Sequence, residues 1–455
     1  MSARTVVASI ALGVALGCAE GPPQNGDDEI LLEEADGAAE ATVYWAPDTL
    51  SEEAIEAGRR DTSWRLVVGD EPRYPEVESL PSTAVLDTAG FATAGPPDTA
   101  RTADSPPRDT LPRIELPLEG DRDDLSVFHV QVLLDRARFS PGVLDGKWGK
   151  NTEKAIYWLQ RGEGVEATGT VDSLTYERLV RVAGNPDRYV RTVVLTEEDV
   201  AGPFVSIPES PWQQADLACL CYRSVGEKVA ERFHATPGML SRLNPDVVLD
   251  SLRAGDSLRV PNVEGIELTD AGEGKAAPGA GEETLASRDT LAGADVARAD
   301  AGDVARIVIS DAGHWLHALD EDGRILYHFP TTLGSQYNPS PEGRLEITSI
   351  SFDPWFHFQP ALFDEVDDSE PDVKLPPGPN SPVGIVWMAL SKPHYGIHGT
   401  ARPETIGYVT SHGCIRLTNW DARFLAERTR TGVPVEFVDL RGRGGEADER
   451  RPATR

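Results

Sequence analysis

"SHGCIRLTN", residues 411–419, sets a cysteine directly behind a His-Gly pair in a chain that has four cysteines among 455 residues. Three chemistries are open to Cys414: an inert buried filler, a metal ligand or a nucleophile. Upstream, "HYGIHGT" (394–400) again sets His beside Gly, with His398 lying 16 residues before Cys414. Glycine at such positions lets backbone approach a reacting group closely. A thiol with a pKa of about 8.5 is mostly protonated at neutral pH, so a nucleophilic cysteine needs a base or cation beside it. Histidine, with a pKa of about 6.5, is the natural choice. A buried cysteine is the commonest fate of the residue, but it leaves the flanking histidines and glycines without a reason. His394, His398, His412 and Cys414 are enough ligands for zinc. Against that, Gly396 and Gly399 interrupt any helix that would present His394 and His398 on one face, and no carboxylate stands close by to orient a ligating histidine. A Cys414–His398 pair accounts for most of the pattern, with the amides of His412, Gly413 and Cys414 placed to donate to a developing oxyanion.

Around this stretch, residues 304–439 alternate apolar and polar positions. "ARIVISDAGHWLHALDEDGRILYHFPTTLG" reads as extended runs broken at Asp320-Glu321-Asp322-Gly323, a hairpin signal. "GRLEITSISF", "GIVWMALS" and "VPVEFVDL" read likewise as strands, and "WDARFLAERT" (420–429) as the one helix. The expectation is a mainly-β domain. His314, His317, His328 and His357 fall away from the signature, where a packed or solvated role is the default. Trp355 and Phe356 precede an acidic insertion and are expected to form an apolar wall or part of the core.

The net charge of -32 disfavours nucleic acid and anionic lipid surfaces as partners. The N-terminus, "MSARTVVASIALGVALGC", has a short positive flank at Arg4, an apolar run and a small-residue cleavage site ending at Cys18. That is the form of a secretory signal, too short for a membrane span. It resembles a bacterial lipoprotein signal, which would make Cys18 a lipidated anchor and the protein an exported, cell-envelope one. Residues 1–18 are therefore expected as signal and 19–120, rich in Ala, Thr, Asp, Glu, Pro and Gly, as a disordered acidic tether. A linker at 264–303 and a tail at 441–455 have similar character. Cys219 and Cys221 could pair only as a small ring, and packed thiols are the expectation.

Two small modules stand between tether and linker. Residues 121–185 carry apolar positions at helical spacing (Val127, Val130, Leu133, Leu134; then Ala155, Ile156, Leu159) around the turn Asp145-Gly146-Lys147-Trp148-Gly149, followed by "ATGTVDSLTYERL". This module resembles the peptidoglycan-binding domain of bacterial wall enzymes. In residues 215–263, two short amphipathic helices, Leu-Asn-Pro and "LRAGDSLRVP" follow one another. That order resembles a LysM module, which binds glycan strands, although its first strand is not evident.

The C-terminal signature, His398-Gly399 and then Ser411-His412-Gly413-Cys414-Ile415-Arg416, resembles that of the YkuD-like L,D-transpeptidase catalytic domain, here over 304–440. "SPEGRLEI" (340–347) and "GPNSPVG" (378–384) resemble weaker family features, while Ser340, Leu345 and the acidic insertion near Asp364–Asp372 depart from the usual pattern. The resemblance implies a multidomain enzyme: a mainly-β YkuD-like domain preceded by a helical bundle and an α+β module. It implies acyl transfer on peptidoglycan stem peptides through a Cys414 thioester, giving 3-3 cross-links. His398 would be the base, the carbonyl of Gly399 would hold its tautomer, and the turn at His412 and Gly413 would bind the oxyanion. Arg416, Ser411 and Tyr395 would contact substrate. No metal or organic cofactor is implied. An L,D-carboxypeptidase, a wall-protein amide hydrolase and a non-catalytic wall-binding scaffold are the alternatives, and two binders on flexible linkers would raise the local concentration of the catalytic domain.

Overall fold

A computed structural model describes residues 114–120, 123–266, 304–335, 337–362, 366–367 and 369–439. The signal with Cys18, the acidic tether up to 113, most of the linker and the tail lie outside the described residues. Among those described, no helix is long and apolar enough to cross a membrane.

Three helices form the first module: α1 (Leu125–Arg136), α2 (Lys150–Gly162) and α3 (Ser173–Val182). Asp124 and Asp172 cap α1 and α3 by accepting backbone N–H groups with their carboxylates. The ordered module starts earlier than the composition suggests. Leu118, placed in the tether by sequence, is fully buried, and its backbone pairs with Val171 in both directions. Ile114 and Leu116, half-buried against the same cluster as Leu118, belong to this short segment.

The second module is built as β1 (Val190–Val194), a long insertion, α6 (Val225–Arg232), α7 (Pro237–Leu243) and β2 (Ser257–Pro261), with β1 antiparallel to β2. The insertion carries two short helices, α4 (Glu197–Val200) and α5 (Pro211–Ala215). The module therefore begins near 190 rather than 215: its first strand stands before an insertion that separates it from the helices it packs with. Cys219 and Cys221 are joined as a disulfide, not held as two thiols.

In the C-terminal domain, β3 (Arg306–Ser310), β4 (Trp315–Leu319), β5 (Ile325–Pro330), β6 (Gly343–Phe352), β9 (Val386–Leu390), β10 (Gly396–His398), β11 (Ile415–Arg416) and β12 (Pro434–Val438) make one sheet. Its order is β11-β10-β9-β6-β12-β3-β4-β5. Only β10–β11 and β12–β3 pair in parallel. The acidic insertion is flanked by a separate antiparallel pair, β7 (Phe356–Phe358) with β8 (Val373–Leu375). One helix, α8 (Asn419–Ala426), packs Ala422 and Leu425 into the sheet's core beside Ile397 and Ile415. Thr418 caps it.

The modules expected on flexible linkers are packed together. Phe139 of the first module bridges His328 at the outer edge of the sheet, with Ser140 N–H donating to the His328 carbonyl at 2.9 Å. Trp158 lies edge-on to Trp315 and His317, and His317 and His328 share a buried 2.9 Å hydrogen bond. Lys154 Nζ donates to the carbonyls of Gly313 and His314. The second module's inserted segment sets Leu220, Trp212 and Ile207 against Phe356, Phe358 and Leu375 of the β7–β8 pair. Phe356 is thus half-buried against this small cluster, while Trp355 is 58% exposed.

All three modules meet at the N-terminal turn of α8. His234 of the second module stacks on Trp420 at 5.1 Å and bonds Asp135 of the first at 2.7 Å; Ser140 Oγ donates to Asp421 at 2.8 Å. Burial, with the charge of Asp135 adding to it, pushes Asp421 up to about 7. An unfolded aspartate titrates near ~3.9, so between roughly pH 4 and 7 the folded state keeps a proton that the unfolded chain has lost. This contribution to stability is full below that window and disappears as pH rises through it. Asp421→Asn keeps an acceptor for Ser140 and removes the titration. Its thermal midpoint should change less than the wild type's between about pH 5 and 8, as read by calorimetry; equal slopes would show Asp421 ionised throughout.

Candidate active site

The site is assembled where two of the shortest strands run side by side. Parallel pairing sets Ile397 opposite Ile415 and His398 opposite Arg416. Because side chains alternate along a strand, Cys414, just before β11, falls on the same sheet face as His398. Gly396 stands one register step below. The Cys414 thiol is partly covered and donates to the His394 carbonyl at 3.5 Å. Burial pushes it above the usual thiol range, opposed by the Gly396 N–H and the Arg416 cation.

His398 is buried, and its Nδ1 lies 2.7 Å from the Gly399 carbonyl. A carbonyl only accepts, so Nδ1 carries the proton and Nε2 keeps its lone pair. Burial, reinforced by the nearby Arg416 cation, drives the imidazole down to about 3, with the Gly399 hydrogen bond acting against both. The resting pair is therefore a neutral thiol and a neutral imidazole. Trp387 of β9 pairs with His398 in register and stacks on its ring at 5.3 Å. A Cβ on Gly396 would lie 2.6 Å from the same indole, so this glycine is the space that the tryptophan occupies.

The 411–414 turn is internally bonded. Ser411 Oγ donates to the Cys414 carbonyl at 2.6 Å and accepts the Gly413 N–H at 3.1 Å. These bonds bear on two expected roles. Ser411, expected at the substrate, is buried and spends its hydroxyl inside the turn. The Gly413 amide, expected at an oxyanion, is already taken. Gly413 has φ of +106°, and a Cβ there would sit 2.7 Å from the Tyr395 ring. Tyr395 thus presses on the turn, and Lys392 Nζ lies over its ring at 4.3 Å from the centroid. His412 is half-buried. The Arg416 backbone exchanges two hydrogen bonds with Thr332, which fixes β11 to the loop after β5.

Two further residues went unnoticed in the sequence although both lie beside recognised motifs. Trp387 gives no local signal beyond an apolar strand position. Asn419 ends the opening stretch. Its Oδ1 accepts N–H groups from Ile385 and Thr400, at 3.3 and 3.1 Å, and lies in the space that a Cβ on Gly384 or Gly399 would need. Of the remaining histidines, His317 and His328 are buried against the first module and His357 pairs with Asp372 at the surface.

Residues 304–437 match the family model described as "L,D-transpeptidase catalytic domain". The chain carries a YkuD-type L,D-transpeptidase catalytic domain. Residues 124–179 match "Putative peptidoglycan binding domain". A Bacillus licheniformis protein named "Putative L,D-transpeptidase YkuD" is 32% identical over 29% of this chain and 65% of its own length. Its Bacillus subtilis counterpart is 49% identical over 12% of this chain and 35% of that protein. "Probable L,D-transpeptidase YbiS" of Escherichia coli is 42% identical over 14% of this chain and 21% of its own length. The chain thus spans at most about two thirds of each of these relatives. Among solved structures, an L,D-transpeptidase from Mycobacterium smegmatis aligns at 21% identity over 29% of this chain and 57% of that one, with a TM-score of 0.24, too low to add to the comparison.

A neutral thiol–imidazole pair of this kind predicts a simple alkylation profile for Cys414. With the imidazole neutral above about pH 4 and the thiol pushed upward, iodoacetamide labelling should rise along one limb centred above the usual thiol range of about 8.5. A shoulder between pH 5 and 7 would instead reveal an imidazolium–thiolate pair. Arg416→Met removes a cation that favours the thiolate and should move the limb to still higher pH.

Proposed function

We propose that the protein is a peptidoglycan L,D-transpeptidase. The observation that carries this reading is the Nδ1–H donation of His398 to Gly399, which leaves Nε2 as a base on the sheet face shared with Cys414. In the first half-reaction, Cys414 passes its proton to His398 Nε2 while Sγ attacks the carbonyl of the third stem residue. The oxyanion forms at the turn, where the Cys414 amide is the donor in place of the Gly413 amide bound by Ser411. Collapse breaks the peptide bond, and the departing amine of the terminal D-alanine takes the proton back from Nε2. A thioester remains. An amine of a neighbouring stem then gives a proton to Nε2, attacks the thioester carbonyl and expels Cys414, which recovers the proton. The product is a 3-3 cross-link.

Arg416, half-buried beside the pair, serves as the cation that keeps His398 neutral and favours the thiolate, and Tyr395 walls the cleft behind Gly413. The first module is read as a peptidoglycan binder. The second, with its β-α-α-β order, is read as a LysM-like glycan binder, and Cys18 as a lipid anchor that holds the protein at the cell envelope.

The test is incubation of the purified protein with disaccharide-tetrapeptides, followed by mass spectrometry. A dimer lacking one D-alanine, absent with Cys414→Ala, is expected. A Cys414-dependent tripeptide alone would move the reading to L,D-carboxypeptidase, because water then resolves the same thioester. No product alongside retained binding to sacculi would favour a scaffold. His398→Ala should cost roughly 100-fold or more in turnover, the ordinary scale of a lost general base.

A further inference from the structure

The carbonyl of Gly399 and the N–H of Thr400 belong to one planar peptide unit. Its carbonyl side receives the His398 Nδ1 proton at 2.7 Å, and its N–H side donates to Asn419 Oδ1 at 3.1 Å. Rotating this plane would break both bonds together, so whatever fixes Asn419 also fixes the histidine tautomer. The Asn419 amide has only one possible orientation. Oδ1 accepts two backbone N–H groups, which turns Nδ2 toward two acceptors: the Pro379 carbonyl at 3.1 Å and Glu231 Oε1 at 2.8 Å.

Glu231 does not belong to the catalytic domain. It lies on α6 of the second module, 188 residues away in sequence, and is buried against α8. It borders a cavity of about 310 Å³ that is also lined by Arg223 and Glu227 of its own module and by Ala401–Glu404, the loop that follows His398-Gly399-Thr400. Arg223 pairs with Glu227 and Arg402 with Glu404, so the cavity charges largely satisfy one another.

We propose that Glu231 is a positioning residue for His398, acting through Asn419 and the Gly399–Thr400 peptide, so that the second module completes the catalytic loop of the third. The contribution needed from Glu231 is an acceptor oxygen rather than a charge. Burial pushes its carboxyl up to about 8 against the pull of the Asn419 hydrogen bond, which leaves it largely protonated at neutral pH and still accepting at Oε1. Without that acceptor, one Asn419 N–H is buried unpaired, and the amide gains by turning toward other partners and releasing Thr400. This role rests on the Cys414–His398 reading above.

The test measures two quantities on the full chain: the rate of Cys414 alkylation by iodoacetamide at about pH 8, which needs no wall substrate, and kcat and KM for cross-link formation. Glu231→Ala is expected to slow alkylation and kcat about tenfold in parallel, with KM within about twofold of wild type. Glu231→Gln, which keeps the acceptor at Oε1, should restore both to within about twofold. Asn419→Ala should slow both, and adding Glu231→Ala to it should cost little more, since the two act on one peptide. Wild-type alkylation rates in Glu231→Ala, a Gln variant as slow as the Ala variant, or additive losses in the double variant would each overturn the proposal. If alkylation of the wild type is instead indifferent to His398→Ala, the Cys–His reading itself fails, and that result is distinct from the others.

Discussion

Everything chemical in this protein depends on a two-residue parallel contact. Ile397 and His398 pair with Ile415 and Arg416. Neither strand would hold alone, because two residues give only a couple of ladder hydrogen bonds and almost no buried face of their own. They are held from outside. β10 is clamped on its other side by β9, and β11 by Thr332, whose backbone exchanges hydrogen bonds with Arg416. Below them, Ile397 and Ile415 are fully buried over α8. The 411–414 turn is tied off by the Ser411 hydroxyl, and Tyr395 fills the space that the absent Gly413 side chain leaves. A thiol and an imidazole 16 residues apart therefore share a face with little freedom, which is the preorganisation that nucleophilic catalysis requires.

Helix α8 is the second constraint, because it faces in two directions. One side, Ala422 and Leu425, closes the core under the catalytic strands. Its N-terminal turn, with Asn419, Trp420 and Asp421, receives the two upstream modules through Glu231, His234 and Ser140. Such a junction is polar and buried at once. Its cost is the desolvation of carboxyls, and the molecule meets that cost by keeping Asp421 and Glu231 protonated well above the ordinary carboxylate range.

How much of this was legible in the sequence follows from where each signal lives. Cys414 and His398 stand out in the sequence because their motif is local: a few residues whose types and glycines only make sense together. Long strands such as "GRLEITSISF" and "GIVWMALS" were legible from alternation. The strand β1 was not, because about thirty inserted residues separate it from α6, and pairing with β2 is a tertiary fact. The Cys219–Cys221 bond was misjudged for a similar reason: a two-residue spacing argues against a ring, and the hydrogen bonds of Leu220 with Pro377 and Asn380 that hold the segment are tertiary. Ser411 was expected at substrate, and a sequence cannot show that its hydroxyl is already bonded within the turn. Trp387 and Asn419 were missed because neither residue type carries chemistry by itself; each acts by where it presses.

The packing of the modules also changes what an upstream domain can contribute. A binder on a flexible linker supplies only effective concentration, and its benefit would survive exchange for any other binder of equal affinity and reach. A module packed against α8 supplies specific atoms. Asn419 needs acceptors for Nδ2 once its oxygen is committed to Ile385 and Thr400, and among the described residues the catalytic domain offers the Pro379 carbonyl. The second acceptor comes from Glu231. His398 stands at the end of this chain through its Nδ1 bond to Gly399, so under the proposed reading the boundary of the site, drawn by hydrogen bonds rather than by domain, encloses a residue from outside the catalytic fold.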